Sequence, residues 1–232
     1  MGCHARLTAA ATLVRDGVVV VDVGTDHAYL PLLLVGQGKC PRAIGCDLRQ
    51  SPLENARRHV EAAGLSDKID LRLCDGLAAV LPEEADDICV CGLGGEVIAA
   101  ILAAAPWTKD PNKRLILQPM TAADDLRRFL AAEGYAVERE VLVRDAGRLY
   151  VLLAARWTGE EQLHTDDYWW AGTVTADQPH GEEYLARQLA RVEKQLRSLE
   201  RAVDPARKAP IPALKETARL LQNRLNKGSD TP

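Results

Sequence analysis

The sequence predicts an α/β fold: a doubly wound parallel sheet with an antiparallel edge hairpin, followed by a C-terminal pair of antiparallel helices. Three observations lead there. Five short apolar or β-branched runs alternate with helical patterns between Val18 and Glu133. The first four run into acids or glycine turns, and an open α/β sheet binds its ligands at that end of its strands. Beyond residue 181, apolar residues recur at 4-3 spacing in two stretches.

Taken in order, Leu7, Ala11 and Val14 lie at helical spacing within residues 5–15 and predict a helix laid against the sheet. Val18–Val23 is the first strand. It ends in Asp22, Gly24, Thr25, Asp26 and His27, where backbone N–H groups and the start of the next helix are expected to face a crevice. That helix runs Tyr29–Val35 and stops at Gly36 and Gly38. Arg42–Asp47 is the second strand. Ser51–Ala63 reads as a helix with Ser51 as N-cap, Pro52 at the first position, Glu54 in the first turn and Gly64 closing it. Ile69–Cys74 is the third strand, followed by Asp75 and Gly76. Asp87–Cys91 is the fourth, followed by Gly92-Leu93-Gly94-Gly95 and a helix over Glu96–Ala104. Leu115–Gln118 is the fifth, with Pro119 after it, then a helix over Ala122–Glu133 stopped by Gly134. Ala136–Val143 and Leu149–Ala155 pair through a turn at Asp145, Ala146 and Gly147.

The composition shifts near Trp157, which divides the chain into a domain at 1–156 and a linker with a helical coiled-coil hairpin at 157–232. Residues 157–181 are polar and turn-rich. Trp157, Tyr168, Trp169 and Trp170 are expected to pack against the main domain rather than stack on bases. Leu185, Leu189, Val192, Leu196, Leu199 and Val203 form a seam. Pro205, Pro210 and Pro212 break it, and Leu214, Ala218, Leu221 and Leu225 resume it.

The chain has 232 residues, 47% hydrophobic and 27% charged, with a net charge of −4. That net charge argues against non-specific nucleic-acid binding unless charge is unevenly spread. It is: Tyr184–Lys227 holds eleven Lys or Arg against four acids, which favours a nucleic-acid backbone over a merely solvated face. The six cysteines form no Cys-x-x-Cys pair and are expected to be reduced core residues of a cytoplasmic protein, not metal ligands. No membrane span, signal peptide or myristoylation pattern is expected.

Asp47 stands where such a sheet places the acid that accepts from ribose hydroxyls. The first turn holds one glycine and an added carboxylate, which would repel a pyrophosphate. It suits a cofactor without phosphate that carries an ammonium and a sulfonium, and S-adenosylmethionine is that cofactor. Asp75 and Gly76 would face its adenine. Asp22, Gly24, Thr25, Asp26, Asp47, Leu48, Cys74, Asp75, Gly76 and Gly92 are the cofactor-binding candidates.

These residues resemble the bacterial tRNA (adenine-N1)-methyltransferases that modify the adenine at position 22 of tRNA. The resemblance rests on Asp22-Val23-Gly24-Thr25-Asp26-His27-Ala28-Tyr29-Leu30-Pro31. It continues through Asp75-Gly76-Leu77, Gly92-Leu93-Gly94-Gly95, Leu115-Ile116-Leu117-Gln118-Pro119, and Arg144-Asp145 with Tyr150. It covers roughly residues 5 to 155. In the family the turn is more often Gly-Ser-Asp-His, and Thr25 keeps the hydroxyl; strand two there often ends in Glu, for which Asp47 is shorter.

The resemblance implies a class I Rossmann-like methyltransferase domain, S-adenosylmethionine as cofactor and tRNA as partner, with no membrane and no metal. The oligomeric state is open, and a monomer is compatible with it. N1 of adenine carries a lone pair and needs no strong base, so orientation supplies most of the rate and a carboxylate near the developing charge assists. Asp26 and His27 are the catalytic candidates. Asp26 could instead cap the following helix. His27 could be a turn hydrogen-bonder, a contact to the methionine moiety, a substrate contact or a proton carrier. Gly92–Gly95 replaces the Asn-Pro-Pro-aromatic turn of amine methyltransferases, which argues against methylation of the exocyclic amine. Gly94, Gly95, Gln118, Pro119, Arg144, Tyr150, Arg187, Arg191 and Lys194 are the substrate-binding candidates, although Gln118 and Pro119 could simply end their strand. An enzyme of the same fold with a small-molecule or protein substrate, or a catalytically degenerate RNA-binding protein, are the alternatives.

Overall fold

The computed structural model describes residues 5–202 and 204–228. Cys3 and the seam position Val203 lie outside the described residues. The chain divides into two compact units, residues 1–162 and 163–232.

The first unit is a seven-stranded sheet with strand order β3-β2-β1-β4-β5-β7-β6. The strands are β1 (Val20–Val23), β2 (Ala43–Asp47), β3 (Ile69–Leu73), β4 (Asp87–Leu93), β5 (Arg114–Pro119), β6 (Tyr135–Asp145) and β7 (Arg148–Trp157). The first five run parallel, and β7 pairs antiparallel with both β5 and β6. The helices are α1 (Ala5–Leu13), α2 (Tyr29–Gly36), α3 (Gln50–Ala62), α4 (Gly95–Ala104) and α5 (Ala123–Ala132). Strand order reverses at β1, whose two neighbours are β2 and β4, and the crevice of a doubly wound sheet opens at that switch point.

β1 is buried along its whole length because helices cover both faces of a parallel sheet. It starts two residues later than its apolar run predicts, since the Val19 amide donates to the Asp86 carboxylate (2.9 Å) instead of joining the ladder. Asp87 at the head of β4 is fully buried and is answered by Arg15, through both its backbone amide and its guanidinium (2.8 Å each). The β6–β7 turn needs only two residues, Ala146 (φ 47°) and Gly147 (φ 78°), both left-handed as a tight hairpin turn requires.

One capping expectation fails. α3 begins at Gln50 with Arg49 as its cap residue, so Ser51 lies inside the helix and caps nothing. The Asp47 carboxylate takes the Arg49 amide (2.9 Å), and that bond turns the chain two residues early.

The second unit holds α6 (Asp166–Ala171), α7 (Gly181–Glu200) and α8 (Ile211–Gly228). Leu185, Val192 and Leu196 of α7 and Leu214 and Leu221 of α8 are buried, on the spacing that the seam predicts. Lys215 near the start of α8 lies 3.4 Å from Glu200 at the end of α7. The tryptophans divide. Trp157 stays in the first unit, donating to the Glu133 carbonyl (3.2 Å). Trp169 and Trp170 sit on α6, Trp169 edge-on to Tyr168 and Trp170 under the Arg191 guanidinium.

Candidate active site

Three strand ends and the first turns of two helices, α1 and α2, border a cleft of about 510 Å³. It is lined by the Gly24–Leu30 turn, Asp22, Cys91, Gly92, Met120 and the start of α1 at Arg6 and Leu7. Asp22, Gly24, Thr25, Asp26, His27 and Gly92 meet there as the sequence predicts. The turn is held from behind. The amides of Gly24 and Thr25 both donate to the Cys46 carbonyl of β2 (2.8 and 3.0 Å), and the Asp26 amide donates to Gly24 (2.9 Å). The expectation of free amides facing the crevice is therefore corrected, since these three are already bonded. A phosphate would find no nest of N–H groups here. Thr25 fits because Gly45 of β2 has no side chain; a Cβ there would lie 2.7 Å from Thr25 Cγ2.

What the turn offers instead is side chains. Thr25 Oγ1 and His27 Nδ1 are buried without a hydrogen-bond partner among the described residues. A buried polar atom left so is costly unless a ligand satisfies it. His27 Nε2 lies 3.6 Å from Asp26 Oδ2, and Asp26 is 61% exposed. The capping alternative for Asp26 fails: the cap residue of α2 is Ala28, in a left-handed conformation, and no side chain caps the helix. The His27 ring stacks on Tyr29 (5.1 Å between centroids), and Tyr29 stacks on His59 (5.5 Å). The His59 Nδ1 meets the His27 carbonyl at 3.1 Å.

Asp22 forms the base of the cleft. Burial pushes its carboxyl up to about 7; the Thr25 hydroxyl pulls it down and the Asp47 charge pushes it up. That hydroxyl is near enough to act on the charge without completing a well-aligned bond. Burial and the nearby Asp22 also push the Cys91 thiol up, which keeps it protonated.

The other cofactor candidates stand at the ends of β2 and β3. Asp47 is buried, with Oδ1 committed to the Arg49 amide and Oδ2 unbonded among the described residues. Leu48 (66%) and Leu73 (56%) expose apolar side chains beside it. Asp75 is exposed, Gly76 takes a left-handed φ of 54°, and the Cys74 thiol donates to the Gly76 carbonyl (3.5 Å).

Several substrate candidates change character. Gln118 is fully buried: its Oε1 accepts from Arg6 (3.1 Å) and its Nε2 donates to the Pro119 carbonyl (3.0 Å). Pro119 is buried as well. Gly95 is also buried, its amide donates to Thr121 (2.9 Å), and a Cβ would run into the Ala122 carbonyl oxygen. Its close approach is to the protein's own backbone, and Gly94 caps α4 beside Thr121. Tyr150 lies under the Arg6 guanidinium, while Arg144 is exposed beside the hairpin turn. In the second unit Arg187 lies over Tyr184 and Arg191 over Trp170. Lys194 is exposed. Arg6, Met120, Cys91 and Tyr29 are site residues that sequence reasoning missed. Arg6 left one faint signal, a cation in an otherwise alanine-rich apolar helix.

Residues 3–153 match the methyltransferase-domain family. A tRNA (adenine(22)-N(1))-methyltransferase from Bacillus subtilis is 39% identical over 150 residues, which is 65% of this chain and 63% of that protein. The crystal structure of the B. subtilis M1A22 tRNA methyltransferase TrmK is 30% identical with a TM-score of 0.84, covering 96% of this chain and 98% of that chain. The chain belongs to the TrmK family. The sequence match to the first B. subtilis relative thus spans under two thirds of its length. A Streptococcus pneumoniae member solved in complex with S-adenosyl-L-methionine is 31% identical with a TM-score of 0.78, covering 95% of this chain and 98% of that chain. Among the described residues no three His, Cys, Asp or Glu side chains gather as a metal site requires, and no helix is long and apolar enough to cross a membrane.

Proposed function

We propose that this protein transfers a methyl group from S-adenosylmethionine to N1 of the adenine at position 22 of tRNA. One observation carries the reading beyond family membership: the first turn has committed its backbone amides and turns unpaired side chains into the cleft. That is the reverse of a phosphate loop and fits a cationic cofactor. Bound there, the cofactor supplies an electrophilic methyl group on a sulfonium.

The chain's own residues supply the rest. Asp47 Oδ2 is the open acceptor for ribose hydroxyls, and Leu48 and Leu73 offer apolar surface for a purine ring. Thr25 Oγ1 and His27 Nδ1 gain the partners they lack. Asp26 places its side chain on the cleft wall, where N1 becomes cationic as it is methylated. No base is needed, because neutral N1 carries no proton. N1 lies on the pairing edge, so the adenine enters unpaired or flipped from its stack.

The helical unit is the tRNA grip in this reading. Lys194, Arg201, Arg207, Lys208 and Lys227 have no acidic partner among the described residues, a surplus that suits a phosphate backbone. With tRNA as substrate, the enzyme works in the cytoplasm. The test is methyl transfer from labelled S-adenosylmethionine to tRNA that carries an unmodified adenine 22, followed by nucleoside analysis. The expected product is 1-methyladenosine; N6-methyladenosine, or no transfer, refutes the proposal.

A further inference from the structure

We propose that Arg6 is a substrate-binding residue that takes a phosphate of the RNA beside the target adenine, at the mouth of the cleft. This rests on the tRNA reading above. Arg6 comes from α1 and is held across the ends of three strands. Its Nε donates to Asp145 Oδ2 of β6 (2.9 Å), and its Nη1 donates to Gln118 Oε1 of β5 (3.1 Å) and approaches Met120 Sδ (3.7 Å). Its guanidinium carbon lies 5.0 Å from the Tyr150 ring centroid of β7. The Gln118 amide has no choice of orientation, because its Nε2 is bonded to the Pro119 carbonyl.

A surface arginine with one carboxylate partner would be ordinary. Arg6 is immobilised by four groups far from it in sequence, although fixing such a side chain costs up to about 2 kcal/mol of rotamer entropy. What the immobilisation leaves over is its Nη2 edge, which has no bonding partner among the described residues while the side chain lines the cleft. An Nη2 donor fixed in advance on a permanent cation suits an anion, and the phosphodiester is the anionic group that RNA carries beside every base. Stacking the adenine itself on the guanidinium is the poorer use, since the ring acquires a positive charge on methylation. One ion pair, with Asp145, balances the charge without covering that edge.

The test measures tRNA affinity of the full-length protein against salt, using transcribed tRNA with an unmodified adenine 22. Arg6→Gln is expected to lower the slope of log K against log salt by about 0.7–0.9, the value of one phosphate contact. It is expected to raise KM for tRNA about tenfold, with S-adenosylmethionine affinity unchanged. Arg6→Lys keeps the charge and loses the ties that fix the Nη2 donor, so the slope stays and KM rises. A wild-type slope in Arg6→Gln overturns the proposal and leaves Arg6 a structural tie. If Arg6→Gln does not fold, Asp145→Asn decides: it frees Nε and keeps the charge, and an unchanged KM for tRNA then refutes pre-organisation for phosphate. A flat salt dependence in the wild type would refute the tRNA reading itself, a result distinct from equal, steep slopes in wild type and variant.

Discussion

Asp22 ties the fold to a pH dependence that can be measured. Its carboxyl rises from 3.8 to about 7, chiefly because β1 buries it. Asp47 of β2 pushes in the same direction. The nearby thiols of Cys46, Cys89 and Cys91 are themselves pushed up by burial and stay neutral. A cofactor ammonium that meets Asp22 needs the carboxylate form. With a pKa of about 7, about one tenth of the protein offers it at pH 6 and about nine tenths at pH 8. Apparent affinity scales with the competent fraction, so Asp22 alone should weaken S-adenosylmethionine binding about tenfold at pH 6 relative to pH 8, on top of the titration of the cofactor's own amine that both proteins share. Titration calorimetry across that range measures it. Asp22→Asn keeps every other titrating group and should bind more weakly, with this tenfold component gone. Equal pH dependence in the two proteins would show that Asp22 is not the titrating group. The sign for stability is opposite. An acid raised in the folded state holds its proton more tightly there, so the ligand-free fold loses stability as pH rises from about 4 to about 7 and loses no more above it. Wild type should therefore unfold at a lower temperature than Asp22→Asn at pH 8, with the gap narrowing toward pH 5.

Three other outcomes follow from particular contacts. Asp26→Ala should lower kcat about tenfold to a hundredfold while tRNA Kd stays within about twofold; equal losses in both, in steady-state and filter-binding assays, would make Asp26 a binding residue only. Gly95→Ala drives a methyl group into the Ala122 carbonyl and should cost about 1–3 kcal/mol, read as a lowered Tm, with no effect if the 121–122 loop simply moves aside. Arg127 and Glu140 form a fully buried ion pair at 2.8 Å. Glu140→Ala should destabilise by about 3–5 kcal/mol in thermal or urea unfolding, and Arg127→Met with Glu140→Leu by much less, because only the single variant removes one charge of the buried pair and keeps the other.

Elements set by local pattern were legible in the sequence. The alternation of apolar runs and helical spacings located every strand of the first unit to within two residues at each end, because burial on a two-sided sheet writes itself into each segment. The turn from Asp22 to Tyr29 was legible for a related reason: one glycine with an adjacent carboxylate is a local chemical statement. The cap of α3 was less so. Ser51 is a good cap by residue type, yet Asp47, at the end of the preceding strand, claims the chain first.

Gln118 shows where such reading stops. A polar side chain at a strand's carboxyl end, next to a cleft, reads as a ligand contact. In the fold an arginine 112 residues away reaches it first, and its other amide atom is spent on the next residue's carbonyl. Nothing within several residues of Gln118 encodes that partner, since the pairing exists only once α1 lies across the ends of β5, β6 and β7. The same contact that removes Gln118 from the cleft wall puts Arg6 on it. The polar group that faces the substrate is thus supplied by the helix most distant in sequence from the strands it crosses. A variant at Gln118 should accordingly act through Arg6: Gln118→Ala frees Nη1, and its effect on tRNA KM should not add to that of Arg6→Gln in the double variant. Full additivity would mean that Gln118 touches the substrate independently, against its burial.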